Sequence, residues 1–316
     1  MNRRRGVTSS KYMLNIIGRK NLYFIISLLI IVPGIISLLL YGLKLSIEFT
    51  GGSRTTYTFA KQVSPETVTK VKQVFNSEKI EVSTVQPSGK DVIIKAAPIN
   101  EKQNAKLLSD LKKIDTSVKQ ESFESIGPTI GAETTTKAFY SVLLASALIV
   151  LYIAISFRKV PKPASSWRFG VCAVIALLHD VLVVLGIFSL LGHFLNVEVD
   201  SLFITAVLTV IGFSVHDTIV VFDRIRENLL KVSGVPFATV VNNSILQTIV
   251  RSLNTSLTAI LVLLTLLIFG GETVRWFVVA LLIGIASGTY SSIFNASPLL
   301  VAWHEWDQKR KVSSKK

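Results

Sequence analysis

Six runs of about twenty or more residues, each with at most one charge, fix what this chain can fold into. Residues 21–43, 138–157, 252–271 and 276–303 contain no Asp, Glu, Lys or Arg. Residues 169–191 contain Asp180, and residues 201–222 contain Asp217. A bilayer core about 30 Å thick is spanned by about 20 apolar residues as helix. The runs predict six transmembrane helices with these bounds. The first is too long for the apolar part of a signal peptide, and the YGLKLS that follows offers no small-residue cleavage site, so it reads as a retained anchor.

Composition agrees. Half of the 316 residues are hydrophobic and 17% are charged, where a soluble domain carries about a quarter. This excludes a disordered chain and argues against a soluble enzyme. The net charge of +14 can signal nucleic acid, but here the charges lie between apolar runs, and no nucleic-acid partner is expected. The single cysteine, Cys172, forms no internal disulfide, and the four His show no metal-ligand spacing. Without a P-loop or a nucleophilic triad, the chain reads as non-enzymatic, with no cofactor and no metal.

Lys and Arg in the short segments set orientation. Residues 1–20 hold six, 158–168 hold four, 223–251 hold four and 304–316 hold five, while the two opposite loops hold only Arg275. This places both termini, the loop 223–251 and the tail 304–316 in the cytoplasm. Residues 44–137 then lie outside, because long loops translocate largely regardless of charge.

That segment is long enough to fold alone. Ser46–Phe59 alternates and reads as a strand or a hairpin broken at Gly51-Gly52. Residues 64–78 begin S-P-E and carry Val68, Val71, Val74 and Phe75 as a helical stripe. Residues 80–85 and 91–96 read as strands about a Pro87-Ser88-Gly89 turn, 100–113 as a helix with Leu107, Leu108 and Leu111, and 118–126 as a last strand. The order β-α-β-β-α-β predicts a ferredoxin-like α+β domain.

Ionisable residues inside a span are costly and mark function or a partner. Asp217 lies about 8 Å of helix inside the end at Phe222. Ser214 and Thr218 are near it, and His216 is adjacent but turned about 100° away. The next span opens at Arg251, with Asn254, Thr255, Thr258 and Thr265 along its face. One reading is a protonatable carboxylate whose charge is set by a movable arginine. The plain alternatives are an interhelical hydrogen bond for Asp217 and a snorkelling anchor for Arg251. Asp180, beside His179, and His216 are the weaker candidates. Gly284, Gly288, Ser291 and Asn295, with Ser141 and Ala145 on the second span, are small-residue stripes that let helices pack closely.

Together, several motifs resemble the SecD/SecF family of membrane proteins that assist Sec-dependent export. They are Ile47–Gly52 (IEFTGG), Ile126–Gly131 (IGPTIG), Ala176–Asp180 (ALLHD), the stretch Gly212–Asn228 containing HDTIVVFDRIREN, and Gly288–Phe294 (GTYSSIF). The resemblance covers nearly the whole chain. It implies a membrane unit like half of a resistance-nodulation-division (RND) transporter, a SecD partner supplying the second half, and contact with the SecYEG channel, YajC and preprotein. It implies that proton motive force drives the outer domains in the cytoplasmic membrane. The family's membrane carboxylate and arginine match Asp217 and Arg251. Two positions depart from the pattern, which usually has Asp at Glu48 and Asn at His216. A competing expectation is half of an RND-type exporter of small molecules or lipids. Such exporters carry two six-helix halves and larger outer domains in one chain.

Overall fold

The computed structural model describes residues 14–158, 160–161, 165–232 and 234–313. Of the charges used for orientation, Arg3, Arg4, Arg5, Lys11, Lys159, Lys162, Lys315 and Lys316 lie outside these residues. Most of the described residues are helical, and among them six helices are long and apolar enough to cross a membrane. It is a multi-pass membrane protein. The backbone divides into two units, residues 1–42, 144–197 and 205–316, and residues 43–143 with 198–204.

In the first unit, α1 (Lys20–Tyr41) tolerates Pro33 and ends at Gly42, whose N–H still reaches the Leu38 carbonyl and whose φ of 66° turns the following chain out of the helix. The second unit, taken up below, contributes α2 (Ile47–Thr50), α3 (Pro65–Ser77) and α4 (Glu101–Ile114). The later long helices are α5 (Pro128–Ser156), α6 (Ser166–Leu195), α7 (Ser201–Lys231), α8 (Phe237–Phe269) and α9 (Glu272–Ser291). A π-helical turn at Ser292–Ala296 joins α9 to α10 (Ser297–Ser313). Half of the apolar windows of α6, α7 and α9 is buried, and far less of α1, α5 and α8, so the first three form the centre. Phe157, Phe169 and Phe222, all buried, meet with ring centroids 5.0–5.7 Å apart. Gly34 and Gly186 let α1 and α6 touch backbone to backbone, since a Cβ built on Gly186 would lie 2.6 Å from the Gly34 Cα. Ser37 and Ser189 share a hydrogen bond of 2.8 Å beside that crossing.

Residues 223–251, expected as a loop, are mostly helical. Only residues 232–236 separate α7 from α8. The charges that end the apolar run support helix instead, through Arg224–Glu227, Arg226–Asp223 and Lys231–Glu227 pairs three or four residues apart. Likewise α5 starts ten residues before the expected 138, since Pro128 suits the first helical position and its Thr- and Ala-containing turns are too polar to register as a span.

The second unit contains the sheet. Strands β1 (Gly52–Thr58), β2 (Val82–Ser88), β3 (Asp91–Ala96) and β4 (Lys119–Ile126) pair antiparallel in the order β2-β3-β1-β4. With α3 and α4 between them in sequence, this is the ferredoxin-like arrangement. Ser64 caps α3, and Asn100 with Gln103 forms a reciprocal capping box on α4, both bonds 2.9 Å. The core joins Tyr57, Val92 and Ile94 of the sheet to Phe75, Leu107 and Leu111 of the helices.

Two local expectations change. Ser46–Phe59 is neither one strand nor a hairpin: α2 precedes β1. Ser46 caps α2 by accepting the Glu48 N–H, and Gly51, at φ 71°, ends it. Gly131 comes so close that a Cβ there would lie 2.7 Å from the Gly51 nitrogen. Pro87 and Ser88 belong to β2, and the turn is at Gly89, φ 63°. The proline is tolerated because β2 is an edge strand.

Candidate functional site

The first unit buries two carboxylates in different states of satisfaction. Asp180, on α6, is wholly buried. Its Oδ1 accepts from His179 Nδ1 at 2.9 Å and Ser287 Oγ at 2.7 Å. Its Oδ2 accepts from Ser214 Oγ at 2.5 Å and Ser291 Oγ at 2.6 Å. Asp180 therefore ties α6 to α7 and α9. Nε2 of His179, on the far side of the ring, is buried and has no partner among the described residues.

Asp217, on α7, is also buried, but its contacts are long. Ser256 Oγ of α8 is 3.5 Å and Thr289 Oγ1 of α9 is 3.4 Å from Oδ2. Each hydroxyl has one proton, and each also faces a nearer backbone carbonyl, Ser252 at 3.0 Å and Ile285 at 2.9 Å. The two hydroxyls are 2.5 Å from each other. Asp217 thus competes for donors that have closer acceptors. Among the described residues no Lys or Arg forms an ion pair with it. A groove of about 270 Å³ between α8 and α9, walled by Leu253, Leu257, Ile260 and Ile293, has Ser256 and Thr289 in its lining.

Arg251 is not brought to Asp217. Its side chain is exposed on α8, five residues before Ser256, about 7.5 Å along the axis. Asn254, Thr255, Thr258 and Thr265 are exposed on the same helix. His216 is exposed on α7, with Thr209 and Gly212. Of the three candidates, both carboxylates are enclosed and only Arg251 is uncovered.

Among the residues read as packing stripes, a Cβ on Gly284 would lie 2.0 Å from Val210, and one on Gly288 would lie 3.1 Å from Ser214. Ser291 binds Asp180. Asn295 exchanges hydrogen bonds with Ser27 of α1 at 2.8 and 3.0 Å. Sequence reasoning missed Ser256, Ser287 and Thr289. The available signal was the spacing of Ser287 and Ser291, one turn apart on the helix facing Asp180.

A family model described as "Protein export membrane protein SecD/SecF, C-terminal" matches residues 106–306, and one described as "SecD/SecF GG Motif" matches residues 36–63. The protein translocase subunit SecF of Thermobaculum terrenum is 48% identical over 305 residues, covering 93% of this chain and 95% of that protein. The SecF subunit of Anaerolinea thermophila is 42% identical, covering 93% and 96%. The crystal structure of SecDF, a translocon-associated membrane protein from Thermus thermophilus, superposes with a TM-score of 0.80 at 34% identity. It matches 93% of this chain, which spans 39% of that longer one. The chain belongs to the SecD/SecF family of protein export membrane proteins, and within it to the SecF subunits.

Proposed function

We propose that this chain works with a SecD partner in the cytoplasmic membrane, using the proton motive force to promote late steps of preprotein translocation. Both termini are cytoplasmic on this reading, and the α+β domain faces outward. SecYEG, YajC and the preprotein are the further partners. The names of the relatives support the translocation role, and a SecDF chain that contains both halves supports the SecD partner. The uncovered Arg251 and Asn254 of α8 support it too, since polar groups facing hydrocarbon without partners cost several kcal/mol each.

The observation that carries the proton reading is the state of Asp217: enclosed, short of donors, with Arg251 a turn and a half away on the helix that also supplies Ser256. Asp217 is the carrier and Arg251 its movable partner. His216, exposed on α7, is the weaker member of the relay, and Asp180, whose oxygens are filled by four donors, serves the bundle as a structural tie. One proton crossing the membrane delivers about 2.3 kcal/mol per 100 mV. A close Asp–Arg pair at an effective dielectric near 20 is worth about 4 kcal/mol at 4 Å. The two are of one order, so proton passage can make or break such a pair and move a helix.

Asp217→Asn keeps shape and hydrogen bonding but cannot titrate. In cells lacking the native copy it assembles with its partner and loses proton-dependent stimulation of export. Arg251→Met behaves nearly the same, and Thr129→Ala is normal. Full proton-dependent export by Asp217→Asn overturns this reading.

A further inference from the structure

Residues 198–204, between α6 and the body of α7, fold with the α+β domain rather than with the helices. They are held at three points. Leu45 and Val199 form a parallel bridge, in which Ser46 N–H donates to the Val199 carbonyl at 2.8 Å and Val199 N–H to the Lys44 carbonyl at 2.7 Å. Lys95, in the middle strand β3, forms an ion pair with Glu198, both side chains largely buried. Glu48 of α2 accepts the Ser201 N–H at 2.8 Å, and Asp200 accepts that of Phe203 at 2.8 Å. Two carboxylates thus sit at the N-terminus of α7, where free N–H groups and the helix dipole favour them. From Ser201 the helix is unbroken to Lys231. Asp217 lies about 24 Å further along it, at 1.5 Å per residue.

We propose that Lys95, Glu198 and Glu48 form a clamp by which the α+β domain grips the first turn of α7, so that movement of the helix carrying Asp217 passes directly to the sheet. The three are positioning residues. The chain already ties this domain to α1 and α5 by sequence. The clamp adds a third attachment, on the one helix whose charge state the proposed cycle changes. This inference rests on the proton reading of Asp217 for the source of movement, but not for the clamp itself.

Burial, with Arg54 and Lys44 nearby, draws the Lys95 ammonium down to about 8; the Glu198 carboxylate in contact with it opposes that loss of charge. Stranding either charge in a desolvated pair weakens the grip strongly.

The test uses the full chain assembled with its partner and lacking Cys172. Glu198→Lys alone should speed amide exchange at Val199 and Phe203 about tenfold or more, while β1 and β3 stay protected. It should also cut proton-driven export about tenfold. Adding Lys95→Glu should restore both. Separately, Leu45→Cys with Val199→Cys, the two residues of the β-bridge, should export as well oxidised as reduced. Loss of export on oxidation, reversed by reductant, shows that the strap must open and overturns the proposal. So does wild-type exchange in Glu198→Lys, or fast exchange with export unchanged. Asp217→Asn, run in parallel, separates the two ideas: normal export there sinks the proton reading, and exchange at 199–204 still judges the clamp.

Discussion

Asp180 gives the sharpest separation of a structural carboxylate from a proton carrier. Its four acceptor sites are filled, three of them by hydroxyls on other helices: Ser214, Ser287 and Ser291. Interhelical hydrogen bonds in membrane proteins average about 0.6 kcal/mol and reach about 1.7. Three of them put the loss in Asp180→Leu between about 2 and about 5 kcal/mol, and His179 Nδ1 loses its acceptor as well. Asp180→Asn is different. Hydroxyls rotate, so Ser214 and Ser291 can turn to accept from an amide placed where Oδ2 was, and the cost stays below about 1 kcal/mol. Equilibrium unfolding in mixed detergent micelles measures both, and complementation of proton-dependent export measures function. The expected outcome is a stable Asp180→Asn that keeps more than half of wild-type export, beside a clearly destabilised Asp180→Leu. A stable Asp180→Asn that exports as poorly as Asp217→Asn refutes this reasoning and makes Asp180 a proton carrier.

At the α1–α6 crossing, Gly186→Ala places a methyl group 2.6 Å from the Gly34 backbone. It should cost about 1–3 kcal/mol in the same unfolding assay, while Gly170→Ala, with open space around it, should be neutral. For orientation, a cysteine at exposed Ser88 should react with an impermeant thiol reagent applied outside, and one at Ser165 should not, once Cys172 is replaced; the reverse pattern inverts the topology. Tyr57 is wholly buried, its hydroxyl has no partner among the described residues, and burial pushes its phenol well above the usual range. The folded domain keeps that proton where the unfolded chain releases it, so stability should fall as pH rises past about 10; by pulse proteolysis of the intact chain, Tyr57→Phe should flatten that fall and gain about 1 kcal/mol.

Much of the fold is legible because its signals are local and redundant. A run without charge, a capped amphipathic stripe and an alternating strand each show in a few neighbouring residues. So six long apolar helices, α3, α4 and β3 occur in the order the sequence puts them, although α5, α7 and α8 run well past their apolar runs. What escaped detection depends on context. Residues 223–231 carry charges that end an apolar run but not a helix, because Arg224–Glu227 and its neighbours pair along the helix surface, and in 237–251 the polar Asn242, Asn243 and Gln247 interrupt the run without ending the helix. The short α2 is decided by the Ser46 cap and the φ of Gly51, and the alternating pattern of Ser46–Phe59 hides both. Pro87 reads as a turn because its tolerance depends on β2 being an edge, which is a property of the sheet order and not of the residue.

The candidate site shows a different limit. Rarity alone picks out Asp180 and Asp217, since a carboxylate in an apolar run has few bland explanations. Rarity does not tell them apart. The difference lies in serines and threonines, which are common in such helices and become informative only when the bundle aims them. Ser214, Ser287 and Ser291 converge on Asp180, whereas Ser256 and Thr289 stand off from Asp217 and turn to nearer carbonyls. A donor-rich pocket holds a carboxylate in one place, and a donor-poor one leaves it dependent on what arrives. On the proposed reading, Asp180 then belongs to the frame and Asp217 to the moving part, and Arg251, uncovered on the helix that supplies Ser256, is the cation that arrives.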